Sequence, residues 1–281
     1  MKDIIINNQI LKNISNIIVY NDLGEAITFI EESEIAPSIT FDRVFANNTP
    51  AQIAMVSADI ATNNYNAIQV AEIYGWNIGD TIPIILSSDE IIEMRILGFN
   101  HDTLSDGAGK AGLSLGMVNL FATSYQMNLE STNAGGYAMS QIKTNVLPAL
   151  KDLLPQEWRD VIKFVNKRSA NGGSTNYTET LTLSEDLFLF AEVELHSDIM
   201  YAQDGENEGT TYEYYIGKDD SSRIKMQDSD MDGTPERANS WWLRSCPASS
   251  VDDIVCVRVT GGFSGSYSAS SNRGVSFGFC V

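Results

Sequence analysis

Lysine, glutamate, glutamine, methionine and tryptophan are absent from the last 36 residues, Cys246 to Val281, although these five types supply 47 of the first 245 positions. At the upstream rate a stretch of that length would hold about seven of them, so the tail follows a different compositional rule. Two origins fit this bias. Ser- and Gly-rich hairpins and short strands exclude Lys, Glu and Met on their own. Alternatively, every residue type in the segment is reached from an asparagine codon by changing its two adenines, and none of the five missing types is. Adenine-directed diversification would leave that trace.

Other scarcities narrow the function classes. No apolar run approaches the ~20 residues of a membrane span, and the opening Met1 to Asn8 is too short and polar for a signal peptide, so neither membrane insertion nor general secretion is expected. His101 and His196 are the only histidines, which leaves no three-histidine metal set. His101, between Asn100 and Asp102, reads as a turn residue, and His196 as a surface one. Cys246, Cys256 and Cys280 are the only cysteines. Their odd number and lack of CxxC spacing argue against a disulfide framework or zinc site; buried thiols are expected, with a Cys256 to Cys280 pairing as the other option. Basic charge is scarce too: the net charge of −19 repels phosphate backbones and excludes nucleic-acid partners. That charge is uneven. Residues 241 to 281 carry Arg244, Arg258 and Arg273 against Asp252 and Asp253, a near-neutral patch on an acidic body.

Along the chain, Thr49-Pro50 reads as an N-cap with Pro at the first helical position, and Ile53, Val56 and Ile60 form a helical stripe. A second helix is predicted from Ala67 to Tyr74, capped by Asn66 and Gly75. Ile82 to Leu86 and Ile91 to Phe99 predict a hairpin around Ser87 to Glu90. Asp102 to Gly112 reads as a loop. Helical spacing runs from Ser140 to Leu154, with Pro148 kinking or splitting it. Leu187 to Ala191 reads as a buried strand, Gln203 to Asn239 as mostly turns, and Ile254 to Val259 and Val275 to Val281 as final strands. Alternation of Val275, Phe277, Phe279 and Val281 predicts one core face.

Few motifs carry chemistry. Asp228, Asp230 and Asp232, with Gly233 sixth in the loop, match the alternating carboxylates that wrap calcium. Asn239 stands where a bidentate Glu closes an EF-hand, so the open readings are a shorter structural calcium loop, with Glu236 contributing, and a solvated acidic turn. Gly107 to Gly112 lacks phosphate-loop spacing and reads as a flexible loop.

The string Ser240-Trp241-Trp242-Leu243-Arg244-Ser245, followed some thirty residues later by Gly274-Val275-Ser276-Phe277-Gly278-Phe279-Cys280, resembles the C-terminal signature of diversity-generating-retroelement variable proteins. Tyr74 to Thr81, Gly98 to Asp102 and Ala122 to Asn128 are similar to strings in gut phage and prophage tail-associated relatives. The likeness spans about residues 67 to 281. It implies an α+β, C-type lectin-like fold, similar to that of formylglycine-generating enzymes, behind an N-terminal segment of residues 1 to 66 for oligomerisation or attachment.

The resemblance further implies a non-enzymatic receptor-binding or adhesion protein at a phage tail tip or encoded by a prophage. It would be homotrimeric, would assemble with tail components, and would bind a host cell-surface protein or glycan without a required cofactor. Trp241, Trp242, Arg244, Gly274, Phe277 and Phe279 match the constant frame. Ser249, Ser250, Asp252, Asp253, Arg258, Thr260, Phe263, Ser266, Tyr267, Ser270, Asn272 and Arg273 fall where exchange is expected, and Arg258, Phe263, Tyr267 and Arg273 are the expected hot spots. The alternatives are a calcium-dependent sugar-binding lectin and an oxidase of the formylglycine-generating type, which would need paired cysteines or copper. Likeness of fold does not transfer activity.

Overall fold

The computed structural model describes residues 39–281 except 177–178, 229–230 and 232–235, and four short strands before residue 39. The architecture is α+β, with antiparallel sheets and short helices. Pro50–Asn63 forms the longest helix: Thr49 accepts from the Gln52 amide while the Gln52 side chain accepts from the Thr49 amide, a complete capping box that satisfies two orphan donors. Asn66 and Gln69 repeat the device at Ala67–Tyr74, which ends on Gly75 in the left-handed region. Ile53, Val56 and Ile60 are fully buried in the same core as Trp76, Met94 and Phe277. Residues on both sides of the 66/67 boundary therefore contribute to one core.

The central sheet has five strands, in the order Phe188–Leu189, Phe277–Cys280, Leu113–Met117, Ile91–Phe99, Thr81–Ile85. The hairpin of Ile91–Phe99 with Thr81–Ile85 fell where the alternation predicts it. The closing strand has the predicted core face, and its other face is covered too. Phe277 and Phe279 lie in one core cluster and Cys280 in the other, so both faces are covered and the alternation marks two apolar layers, not a wet and a dry side. Pro148 stands in the first turn of Leu147–Leu153, after a wide turn at Ile142–Val146, and so splits the predicted helix at a position that tolerates a missing amide donor.

A three-stranded sheet lies beside the central one, in the order Trp241–Trp242, Asp253–Val257, Phe263–Ser268. Trp242, Ile254 and Cys256 enter the larger core; Trp241, Leu243, Val255, Val257 and Phe263 enter the second. No helix among the described residues is long and apolar enough to cross a membrane.

The first helix is clamped to the end of the central sheet by close backbone approach. A Cβ at Gly112 would stand 1.9 Å from the Ser57 carbonyl oxygen, and the Ser57 hydroxyl donates to the Val281 carbonyl while accepting from the Leu113 amide. Gly112→Ala is expected to destabilise the protein by about 1–3 kcal/mol through overpacking, read as a lowered midpoint in urea unfolding with an unchanged slope.

Candidate functional site

All the residues expected to vary except Phe263 are exposed or half-buried, and local chemistry joins them into one surface. Asn133, itself 1% exposed, holds the loop of residues 250–253. Its side-chain amide donates to the carbonyls of Ser250 at 2.8 Å and Asp253 at 2.9 Å, and its backbone amide donates to Val251. Asp252 accepts from the Ala269 amide, and Ala269 in turn accepts from Asn128. This ties that loop to the Phe263–Ser268 strand and the turn after it. Gln126 donates to the Ser270 carbonyl at 2.6 Å, and Asn272–Arg273 pairs with Tyr125–Gln126.

Tyr267 stands opposite Ile254, and Ser264 opposite Cys256. Arg273 lies over the Tyr267 ring, 4.3 Å from its centroid, and Arg258 donates to the Ser264 hydroxyl at 3.2 Å. Arg258 begins the tight turn that carries Thr260, closed by the Gly262 carbonyl accepting from the Arg258 amide at 2.7 Å. Burial pushes the Cys256 thiol up to about 12, opposed by Arg273 and Arg258.

Phe263 is a correction. Its ring is 5% exposed, stands opposite Val257 and packs beneath the Arg223 guanidinium at 4.8 Å. It is a core residue, because the first position of that strand faces inward. The expected exposed contact at Phe263 is not there. The Cys256 to Cys280 option is overturned as well: all three cysteines are free and buried, and Cys256 and Cys280 lie on different sheets. Burial raises all three thiols, the opposite of an activated thiolate.

The frame below this surface hangs on Arg244. Its guanidinium makes a bidentate pair with Glu194, at 2.6 and 2.9 Å, and donates to the carbonyls of Arg168, Leu189 and Glu208. All five N–H donors are used. Lys167 adjoins this pair, donating to Glu194 at 2.9 Å, to Tyr212 at 2.6 Å and to Asp102. Asp102 also accepts from Ser114, Tyr212 and the Cys280 thiol. Burial alone would raise Glu194 and Asp102, but Arg244 and Lys167 outweigh it and hold both carboxyls below the usual range. Trp241 donates to the Arg223 carbonyl and Trp242 to that of Tyr125, so the two rings anchor opposite sides of their strand. A Cβ at Gly274 would stand 2.4 Å from a Leu120 methyl, which explains glycine in the frame.

Two expected features lie elsewhere. Asp230 and Asp232 fall outside the described residues; Asp228 lines a cleft of about 490 Å³ with Glu90, Glu93, Asn119 and Met117, where burial, reinforced by Asp228, pushes Glu90 up to about 7. Among the described residues no group of three or more His, Cys, Asp or Glu comes together as a metal site. His101 is more than a turn residue, since its ring stacks on Tyr212 at 4.1 Å beside the left-handed Asn100.

Sequence reasoning missed Asn133, Lys167, Glu194 and Glu208. Tyr125 and Gln126 lie in a quoted string, whereas Asn133 carried no local signal, because its role depends on a loop more than a hundred residues away.

Fold and site together define an α+β protein with an irregular polar surface on a doubly buried frame. The chain belongs to the family described as a domain of unknown function, DUF6273, which matches residues 111–281. The matched span supplies three strands of the central sheet, and the Thr81–Ile85 and Ile91–Phe99 hairpin completes it from outside the match. No curated protein and no solved structure matches the chain.

Arg244→Met leaves Glu194 buried with only Lys167 against it, and a loss of about 3–5 kcal/mol in unfolding free energy is expected; adding Glu194→Leu should return part of it. A pH dependence follows from Glu208, which burial pushes up to about 7 despite opposition from Arg244 and bonds from Ser245 and Ala170. A carboxyl raised on folding contributes its stability below the unfolded value near 4.5 and loses it as pH rises through 7. Stability should fall between pH 5 and 8 by on the order of 3 kcal/mol from this group. Glu208→Gln should flatten that part of the curve in urea titrations, leaving a smaller slope of the same sign from Glu90.

Proposed function

We propose that this chain is a non-enzymatic ligand-binding protein whose C-terminal surface is diversified by a retroelement, with the fold of the C-type lectin class, acting as a phage receptor-binding or adhesion protein. One observation carries the reading. Within the stretch that lacks Lys, Glu, Gln, Met and Trp, the residues matching the constant frame, Gly274, Phe277 and Phe279, are buried, while Ser249, Ser250, Asp252, Asp253, Arg258, Thr260, Ser266, Tyr267, Ser270, Asn272 and Arg273 are exposed or half-buried.

Separation of this kind lets side chains change without disturbing packing, since interiors are close-packed and surfaces are not. The patch mixture suits recognition: Tyr and Arg supply rigid contact area and planar donors, and Ser and Asn supply adaptable hydrogen bonds. Binding of a host-surface ligand, attachment through residues near the N-terminus and trimeric assembly belong to the same proposal.

A calcium-dependent lectin is the alternative. It needs the acidic loop beside the exchangeable surface, whereas Asp228 lines its cleft with the 83–93 hairpin region and none of the exchangeable residues. The retroelement reading is preferred on that ground.

The deciding experiment is sequencing of the neighbouring DNA and of the same locus across many isolates. A near-copy of the stretch encoding residues 246–281, differing at adenines and lying beside a reverse-transcriptase gene, is expected. Replacements should concentrate at the exposed positions and spare Trp241, Trp242, Arg244 and Phe279. Replacements spread evenly over buried and exposed codons, with no near-copy, would sink the reading.

A further inference from the structure

Neither Arg258 nor Arg273 makes an ion pair among the described residues of this acidic protein. Asp220, whose carboxylate lies 3.3 Å from a Cβ built at Gly262, is already paired with Arg223. Arg258 uses one nitrogen on the Ser264 hydroxyl at 3.2 Å. Arg273 uses one on the Asn272 carbonyl at 2.7 Å, and its Nε is buried with no partner. Arg273 lies over the half-buried Tyr267 ring and Arg258, exposed, bonds Ser264 three positions earlier on the same strand; Ser264 and Tyr267 stand opposite Cys256 and Ile254, so both contacts fall on one side of the sheet, at its margin.

Guanidinium donors left open in a planar fork match a carboxylate in a way that a lysine ammonium does not. Exposed aliphatic side chains border the patch at both ends: Leu129 and Val251, 72% and 38% exposed, beside the 250–253 loop, and Val259 and Ile224, 47% and 38% exposed, beside the Arg258 turn. Arginine and aromatic side chains with an apolar fringe, and few lysines, make the composition of a protein-protein contact. A densely anionic polymer would meet the −19 body, whereas an isolated acidic side chain among apolar neighbours would not.

Resting on the ligand-binding reading above, we propose that Arg258 and Arg273, on either side of Tyr267, form a carboxylate-binding subsite for an Asp or Glu side chain of a protein partner. Leu129, Val251, Val259 and Ile224 receive that partner's apolar flanks. Leu129 and Ile224 lie outside the compositionally biased stretch, so part of the contact is contributed by fixed scaffold.

The test uses the full chain and the Nε–Hε resonances of its arginines in ¹H–¹⁵N spectra, assigned through Arg258→Gln and Arg273→Gln. Three probes are titrated at constant ionic strength: acetate, the blocked peptide acetyl-Leu-Asp-Val-amide, and sialyllactose. Saturable shifts of both resonances with the peptide, at lower concentration than with acetate, are expected. The double variant should bind the peptide at least tenfold more weakly with its melting temperature unchanged.

Absence of a saturable shift with either carboxylate probe overturns the subsite, and tighter binding of sialyllactose than of the peptide overturns the protein partner in favour of an acidic glycan. Neither result bears on the adenine-patterned near-copy that decides the diversification reading, so the two can fail separately.

Discussion

A guanidinium with no access to water must use every donor it has, and Arg244 does so on four partners drawn from three parts of the chain. Glu194 takes two of those bonds and a third from Lys167, which also reaches Asp102 and Tyr212. The strand ends carrying Leu189 and Arg168 and the turn carrying Glu208 are all referred to one planar group. Such a network costs desolvation, and replacing it with apolar side chains is often no less stable. What it supplies is register: the bonds are short and directional, and the Trp241–Trp242 strand can occupy only one position that satisfies them all.

From that register the exchangeable surface follows. With Trp241 buried on one side and Trp242 on the other, the next strands of the sheet are largely covered on both faces, and exposure is left to the second half of Phe263–Ser268, to strand ends and to turns. That surface is held from below by Asn133 and Gln126 through backbone carbonyls of Ser250, Asp253 and Ser270. Bonds to backbone carbonyls are indifferent to the side chain above them. That makes exchange of Ser250, Asp253 and Ser270 compatible with one backbone.

Much of the local structure was legible in the sequence because it is decided locally. Thr49-Pro50 and Asn66 with Gly75 are capping signals whose physics lies within four residues; both helices begin where those signals predict, and the second ends at Gly75 as predicted. The hairpin of Thr81–Ile85 and Ile91–Phe99 follows from alternation. Phe263 was misjudged because a phenylalanine in a Ser- and Gly-rich stretch looks outward by composition, while its pairing with Val257 and its place under Arg223 turn it inward. The core face of the closing strand was legible from its period of two, whereas burial of the other face was not, because the small residues there, Gly278 and Cys280, are buried just as fully without an apolar run to mark them.

The candidate surface divides in the same way. Composition alone marked the stretch from Cys246 to Val281, since missing residue types need no coordinates to be counted. Which of its side chains meet solvent, and that Asn133 and Gln126 hold its backbone, were decided by tertiary structure. Those contacts join segments more than a hundred residues apart, and their energies depend on burial and direction, quantities that come into existence only when the chain has closed on itself.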